Sequence, residues 1–122
     1  EQMFRRMVFN VMARNCDDHT KNFSFRLKKG GRWELAPAYD VCHAYKPGHQ
    51  WVSQHALSMN GKRSGITKND LLLIGKSIQC KHAASIIDET EAVVFNWKKY
   101  ARETGVPAAL RDEIFETIKN RQ

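Results

Sequence analysis

The chain has 122 residues, 20 Lys and Arg against 13 Asp and Glu, a formal charge of +7 at pH 7 and an isoelectric point near 9.5. A hydrophobic fraction of 42% beside a charged fraction of 27% belongs to a folded domain and excludes a disordered chain, while no apolar run reaches the ~20 residues that a membrane-spanning helix needs. Cys16, Cys42 and Cys80 are odd in number and lack a CxxC pair, which argues against a disulfide framework or zinc site and for reduced thiols in a cytoplasmic protein.

In chain order, the first element is a predicted helix over 4–13, PheArgArgMetValPheAsnValMetAla. The chain opens with GluGlnMetPhe, inside that helix and without an initiator Met, so it reads as a fragment of a larger protein; no secretory signal is visible. A polar loop, CysAspAspHisThrLysAsnPhe, follows from Cys16. Strands over 22–28 and 32–35 are predicted to pair antiparallel around Gly30 and Gly31, and the second delivers AlaProAlaTyrAsp, ending at Asp40.

The next stretch is irregular, with Pro47 and Gly48 as a turn signal, and Tyr45 and Trp51 are expected to pack beneath the site. Thr67 and Asp70 have the spacing of a helix cap before LeuLeuLeuIleGlyLysSerIle. A further helix is expected near Lys81. Asp88 with Glu91 repeats the cap spacing before a helix on which Val93, Trp97 and Tyr100 or Ala101 share an apolar face. Gly105 closes it, and Pro107 suits the first turn of a last helix carrying Leu110, Ile114 and Ile118 as one stripe.

Asp17, Asn22 and Asp40 carry the chemistry. Phosphoryl transfer requires a carboxylate to accept the proton of the attacking hydroxyl, and oxygen ligands for the Mg²⁺ that neutralises the phosphates. Asp17 has the residue type for the first task. Asn22, five positions on, and Asp40 have the residue types for the second. Alone, an Asp-x4-Asn spacing is equally a polar loop with caps. Here a helix enters the loop and a hairpin leaves it toward a second acid, and that order is the distinguishing feature.

The run AsnCysAspAspHisThrLysAsnPheSerPhe, the GlyGly turn and AlaProAlaTyrAspVal together resemble the HipA family of bacterial serine/threonine kinases, toxins of toxin–antitoxin systems. The match is strongest over 9–41. It implies a mainly α fold: a kinase-like C-terminal lobe of helices with one β-hairpin carrying the catalytic loop and the metal Asp, over residues 1–122, the N-terminal lobe being absent. By the same resemblance Asp17 is the catalytic base, His19 and Lys21 contact the phosphates of ATP, and Asn22 and Asp40 bind Mg²⁺. ATP is the co-substrate, a protein Ser or Thr the acceptor and an antitoxin the partner, with DNA reached only through the antitoxin complex and no membrane involved.

Asp18 departs from the family's pattern and is expected to point to solvent. Cys16 reads as a small buried residue. His43, His49 and His55 fall in no ligand spacing and read as surface or hydrogen-bonded histidines. The basic clusters at 26–32, 61–63 and 98–102 sit in no nucleic-acid motif and read as solvated faces. Gly61-Lys-Arg-Ser-Gly65 has the wrong composition for a phosphate loop. A nucleotide-covering loop and its Lys are therefore missing, and the fragment alone is expected to be inactive. The alternative is a catalytically silent domain kept for antitoxin or nucleic-acid binding. Three retained chemical residues favour the enzyme.

Overall fold

Phe4, Val8, Val11 and Met12 recur at helical spacing, and a helix carrying such a stripe gains stability only by burying it. The computed structural model, which describes residues 1–121, places these four side chains in the core, each at most 3% exposed. They belong to α1 (Gln2–Met12), followed by a single 3-10 turn at Thr20–Asn22 and by β1 (Phe25–Leu27) and β2 (Trp33–Leu35). Four more helices complete the order: α2 (Lys68–Ser77), α3 (Ala83–Phe95), α4 (Trp97–Glu103) and α5 (Ala108–Lys119). Among the described residues the fold is thus mainly helical with one small hairpin, as expected.

The hairpin is shorter than its expected bounds. Phe25 faces Leu35, Arg26 faces Glu34 and Leu27 faces Trp33 in antiparallel register. Asn22 lies outside it, in the 3-10 turn, because the backbone there is still closing the loop: the Asn22 amide donates to the His19 carbonyl and the Phe23 amide to that of Thr20. Gly30 and Gly31 both have positive φ, 96° and 81°, which a side chain would strain.

The core forms where α1 packs on α3, with α2 and α5 closing its ends. Ile86, Ile87 and Val94 of α3 meet the α1 stripe, and Leu71 of α2 and Ile118 of α5 complete it. Gly75 lets α2 approach, since a Cβ there would stand 2.4 Å from that of Ala83 and 3.2 Å from the Phe4 ring. Among the described residues no helix is long and apolar enough to cross a membrane.

Several expectations are corrected. Asp88 and Glu91 do not start a helix; they lie inside α3, whose buried positions Ala83, Ile86 and Ile87 set its phase from the beginning. The helix breaks at Asn96 instead, so Val93 and Tyr100 do not share a buried face and both are exposed, whereas Ala101 is buried. Leu110 is exposed, Ile114 packs half-buried against the core and Ile118 is buried, so the last stripe reaches the core through Ile114 and Ile118 but not Leu110. Trp51 is 69% exposed rather than packed.

The cap at Thr67 forms as expected. Its hydroxyl accepts the Asp70 amide at 3.2 Å, and the Asp70 carboxylate accepts the Thr67 amide at 2.8 Å, Asn60 Nδ2 at 2.8 Å and Lys62 Nζ at 2.9 Å. The Thr67 amide first, then Asn60 and Lys62, hold the Asp70 carboxyl well below its ordinary range. A carboxyl depressed on folding contributes stability that is full above its unfolded pKa, ~3.9, and fades as pH falls below that value. Thermal melts of the wild-type chain should therefore fall more steeply between about pH 5 and pH 2 than those of Asp70→Asn, and Thr67→Ala should cost about 1 kcal/mol at neutral pH. Parallel acid profiles for wild type and Asp70→Asn would remove Asp70 from this role.

Candidate functional site

The loop that leaves α1 is buried, so its polar groups need partners inside the protein. Arg14 turns the chain in the left-handed region, φ 57°, which costs a non-glycine residue free energy. Its guanidinium offsets that cost. Nε donates to the Thr117 carbonyl and Nη2 to the Asn120 carbonyl, both at 3.0 Å, and the group lies 4.2 Å from the Tyr45 ring centre. A cation at the C-terminal end of α5 meets the free carbonyls of its last turn and the negative end of the helix dipole.

Backbone bonds then tie the loop to the segment after Asp40. Ala44 donates to the Arg14 carbonyl and Cys16 to the Ala44 carbonyl, both at 3.0 Å, giving a parallel bridge between Asn15 and Ala44. The Ala56 amide donates to the Cys16 carbonyl at 3.1 Å. Cys16 itself is 1% exposed, and burial pushes its thiol up to about 11. It is packed and inert, in keeping with its reading as a small buried residue.

Asp18 overturns the solvent expectation. It is 1% exposed, its Oδ2 lies 3.0 Å from His55 Nδ1, and its Oδ1 accepts the Ala56 amide at 2.8 Å. His55 is likewise buried. The two neighbouring aspartates therefore have opposite environments: Asp17 is half exposed, with its Oδ1 3.8 Å from His19 Nε2. No local signal marked this task, because the partner His55 lies 37 positions away.

Asn22 and Asp40 line one cleft. The Asn22 side-chain nitrogen donates to the Asp17 carbonyl at 3.0 Å, which leaves its oxygen as the atom available to a cation. Asp40 is exposed, has φ 53°, and follows Tyr39, whose hydroxyl donates to the Lys21 carbonyl at 2.8 Å. The Arg6 guanidinium, from α1, bonds the Ala36 carbonyl. The first contact holds the segment that delivers Asp40 against the loop that carries Asn22, and the second ties it to α1. Burial first, and then the charges of Asp40 and Asp17, push the Cys42 thiol above its ordinary pKa.

The remaining expected site residues are placed around the loop. His19 is half-buried beside Asp17, with Nδ1 buried and unpaired, and Lys21 is exposed. His43 Nε2 lies 2.8 Å from Thr117 Oγ1, and burial lowers its pKa. Among the described residues no group of three or more His, Cys, Asp and Glu could hold a metal ion. Mg²⁺ needs less from a protein, since one or two oxygen side chains suffice when water and phosphate supply the rest. Asn22 and Asp40 meet that requirement in kind.

A family model described as the HipA-like C-terminal domain matches residues 1–120. No curated protein matches the chain significantly.

The environments of the two aspartates generate a direct contrast. Asp18→Ala should destabilise the fold by about 3 kcal/mol, because it leaves the Ala56 amide and a buried His55 without a partner, while Asp17→Ala should stay within about 0.5 kcal/mol of wild type. Urea denaturation followed by circular dichroism measures both, and equal losses would contradict the division.

Proposed function

The chain belongs to the HipA-like C-terminal domain family, and from that premise we propose that it is the catalytic lobe of a bacterial serine/threonine protein kinase, the toxin of a toxin–antitoxin pair. The reaction is transfer of the ATP γ-phosphate to a protein hydroxyl. One observation carries this reading: Asn22 and Asp40, distant in sequence, line the same cleft, with the Asn22 side chain bonded to the backbone of Asp17.

In this reading Asp17 accepts the proton of the substrate hydroxyl as that oxygen attacks phosphorus. Its carboxylate is half exposed, as a base that must meet a protein substrate has to be. Asn22 Oδ1 and the Asp40 carboxylate would hold Mg²⁺, which when bound supplies neutralisation of the phosphate charge. His19, beside Asp17, and the exposed Lys21 offer donors to the transferred phosphate. Asp18 does none of this; it fixes the loop so that Asp17 and Asn22 keep their relation.

Catalysis of this kind rests on positioning and charge stabilisation, so losing one group is costly. In the full-length protein Asp17→Asn should lower transfer by at least about 100-fold without unfolding, and Asp40→Ala should lower it with a raised KM for Mg²⁺-ATP. A radiolabelled transfer assay checks both, and wild-type rates at saturating Mg²⁺-ATP in either variant would cancel that residue's role. Residues 1–122 alone carry no glycine-rich nucleotide loop, so calorimetry should find Mg²⁺-ATP binding no tighter than about millimolar, roughly 4 kcal/mol, and the assay no transfer. Micromolar binding lost on Asp40→Ala would mean that this chain is sufficient by itself.

A further inference from the structure

The register of the hairpin decides which of its backbone groups stay unpaired. In an antiparallel pair only alternate positions exchange hydrogen bonds, and here the Ala36 amide donates to the Ser24 carbonyl at 2.9 Å and the Lys28 amide to the Arg32 carbonyl at 2.8 Å. Phe25 and Leu27 fall between those positions, opposite Leu35 and Trp33, so their N–H and C=O groups point away from β2. Among the described residues the sheet has two strands, and no third one takes these groups up. Every residue of β1 is exposed, whereas Glu34 and Leu35 of β2 are half-buried. The open edge is therefore β1.

The two faces beside this edge differ in chemistry, because side chains alternate across a strand. Phe25, Leu27 and Trp33 share one face and are 66%, 56% and 64% exposed. Arg26, Lys28, Arg32 and Glu34 share the other. Glu34 ion-pairs with both Arg26 and Lys28, while Lys29 and Arg32, in and beside the turn, are exposed and meet no carboxylate among the described residues. One acid against four cations leaves the edge positive. An exposed edge with an apolar face is a template for another strand, and the charge selects which strand: a second copy would set like charges opposite one another, which destabilises the pairing.

We propose that β1 is a strand-addition site for an extended acidic segment of a partner protein, whose alternate apolar side chains cover Phe25, Leu27 and Trp33 and whose intervening Asp or Glu residues meet Arg26, Lys28 and Arg32. Main-chain bonds to Phe25 and Leu27 supply the affinity, and the alternation supplies the specificity. A nucleic acid matches the charge but not the layout, since base stacking needs the cations beside the aromatic rings and here they lie on the opposite face. None of residues 25–35 lines the cleft of Asn22 and Asp40. The site therefore stands whether or not the chain transfers phosphate.

The probe is an end-blocked heptapeptide of alternating Glu and Val with Glu at both ends, titrated into the ¹⁵N-labelled chain without Mg²⁺ or ATP and followed by NMR. The backbone amides of Phe25 and Leu27 should move downfield and saturate, with a Kd of about 1 mM or tighter. The same pattern built from Lys and Val should bind at least about tenfold more weakly, and the Glu and Val peptide N-methylated at every residue at least about fivefold more weakly. Leu27→Pro removes one outward N–H and no hairpin bond, a change an edge strand tolerates, and should weaken the acidic peptide at least about fivefold. Where that variant loses the hairpin, the N-methylated peptide tests the same bonds on the unaltered protein. No saturable shift, equal binding of the Lys or the N-methylated peptide, tighter binding of an oligothymidylate than of the acidic peptide, or a dimer in sedimentation that Leu27→Pro dissolves would each overturn the proposal.

Discussion

A buried loop must satisfy its own hydrogen bonds, and the rest of this structure follows from how residues 14–18 do so. Arg14, Asn15, Cys16 and Asp18 are all at most 9% exposed although they lie in neither helix nor sheet. Their partners come from four places: Asn10 in α1, Ala44 after the hairpin, His55 and Ala56 in the irregular stretch, and the last turn of α5. Each bond joins the loop to a separate part of the chain. The helices after Thr67 thereby help position a loop near the other end of the sequence, because Arg14 is satisfied by the carbonyls that α5 leaves open.

The same constraint separates two identical side chains. Asp17 and Asp18 differ only in direction, yet one meets solvent near His19 and the other is enclosed against His55 and a backbone amide. Burial with two donors makes a carboxylate a strut. Exposure leaves the other open to solvent. Asn22 shows a related division within one group, its nitrogen bonded to the loop backbone and its oxygen left over for a ligand.

Asp40 stands at the end of a lever, since Ala36 is held by Arg6 and Tyr39 by the Lys21 carbonyl. Its left-handed backbone, like that of Arg14, persists only because neighbouring bonds over-determine it. Beside it lies the open cleft that Phe9 of α1, Val93 of α3 and Val41 also line. The exposed apolar side chains of Phe25, Leu27 and Trp33 on the hairpin show that the two strands are held by their turn and pairing rather than by a sheet core.

Local chemistry in the sequence was sufficient for the elements whose cause is local. The α1 stripe, the GlyGly turn, the Thr67–Asp70 cap and the mainly helical character are each set by residues within a few positions of one another, and these were legible before any coordinates. So was the short run from Asp17 to Asn22, together with the family to which the chain belongs, whereas the shared cleft of Asn22 and Asp40 was decided by packing. Tertiary structure decided what depends on distant partners. That Asp18 is enclosed rests on His55 and Ala56, that Trp51 is exposed rests on what the core had already filled, and that α3 runs through Asp88 rests on Ile86 and Ile87 finding the α1 stripe. Burial and hydrogen-bond satisfaction are properties of the whole packed chain, and no window of residues contains them.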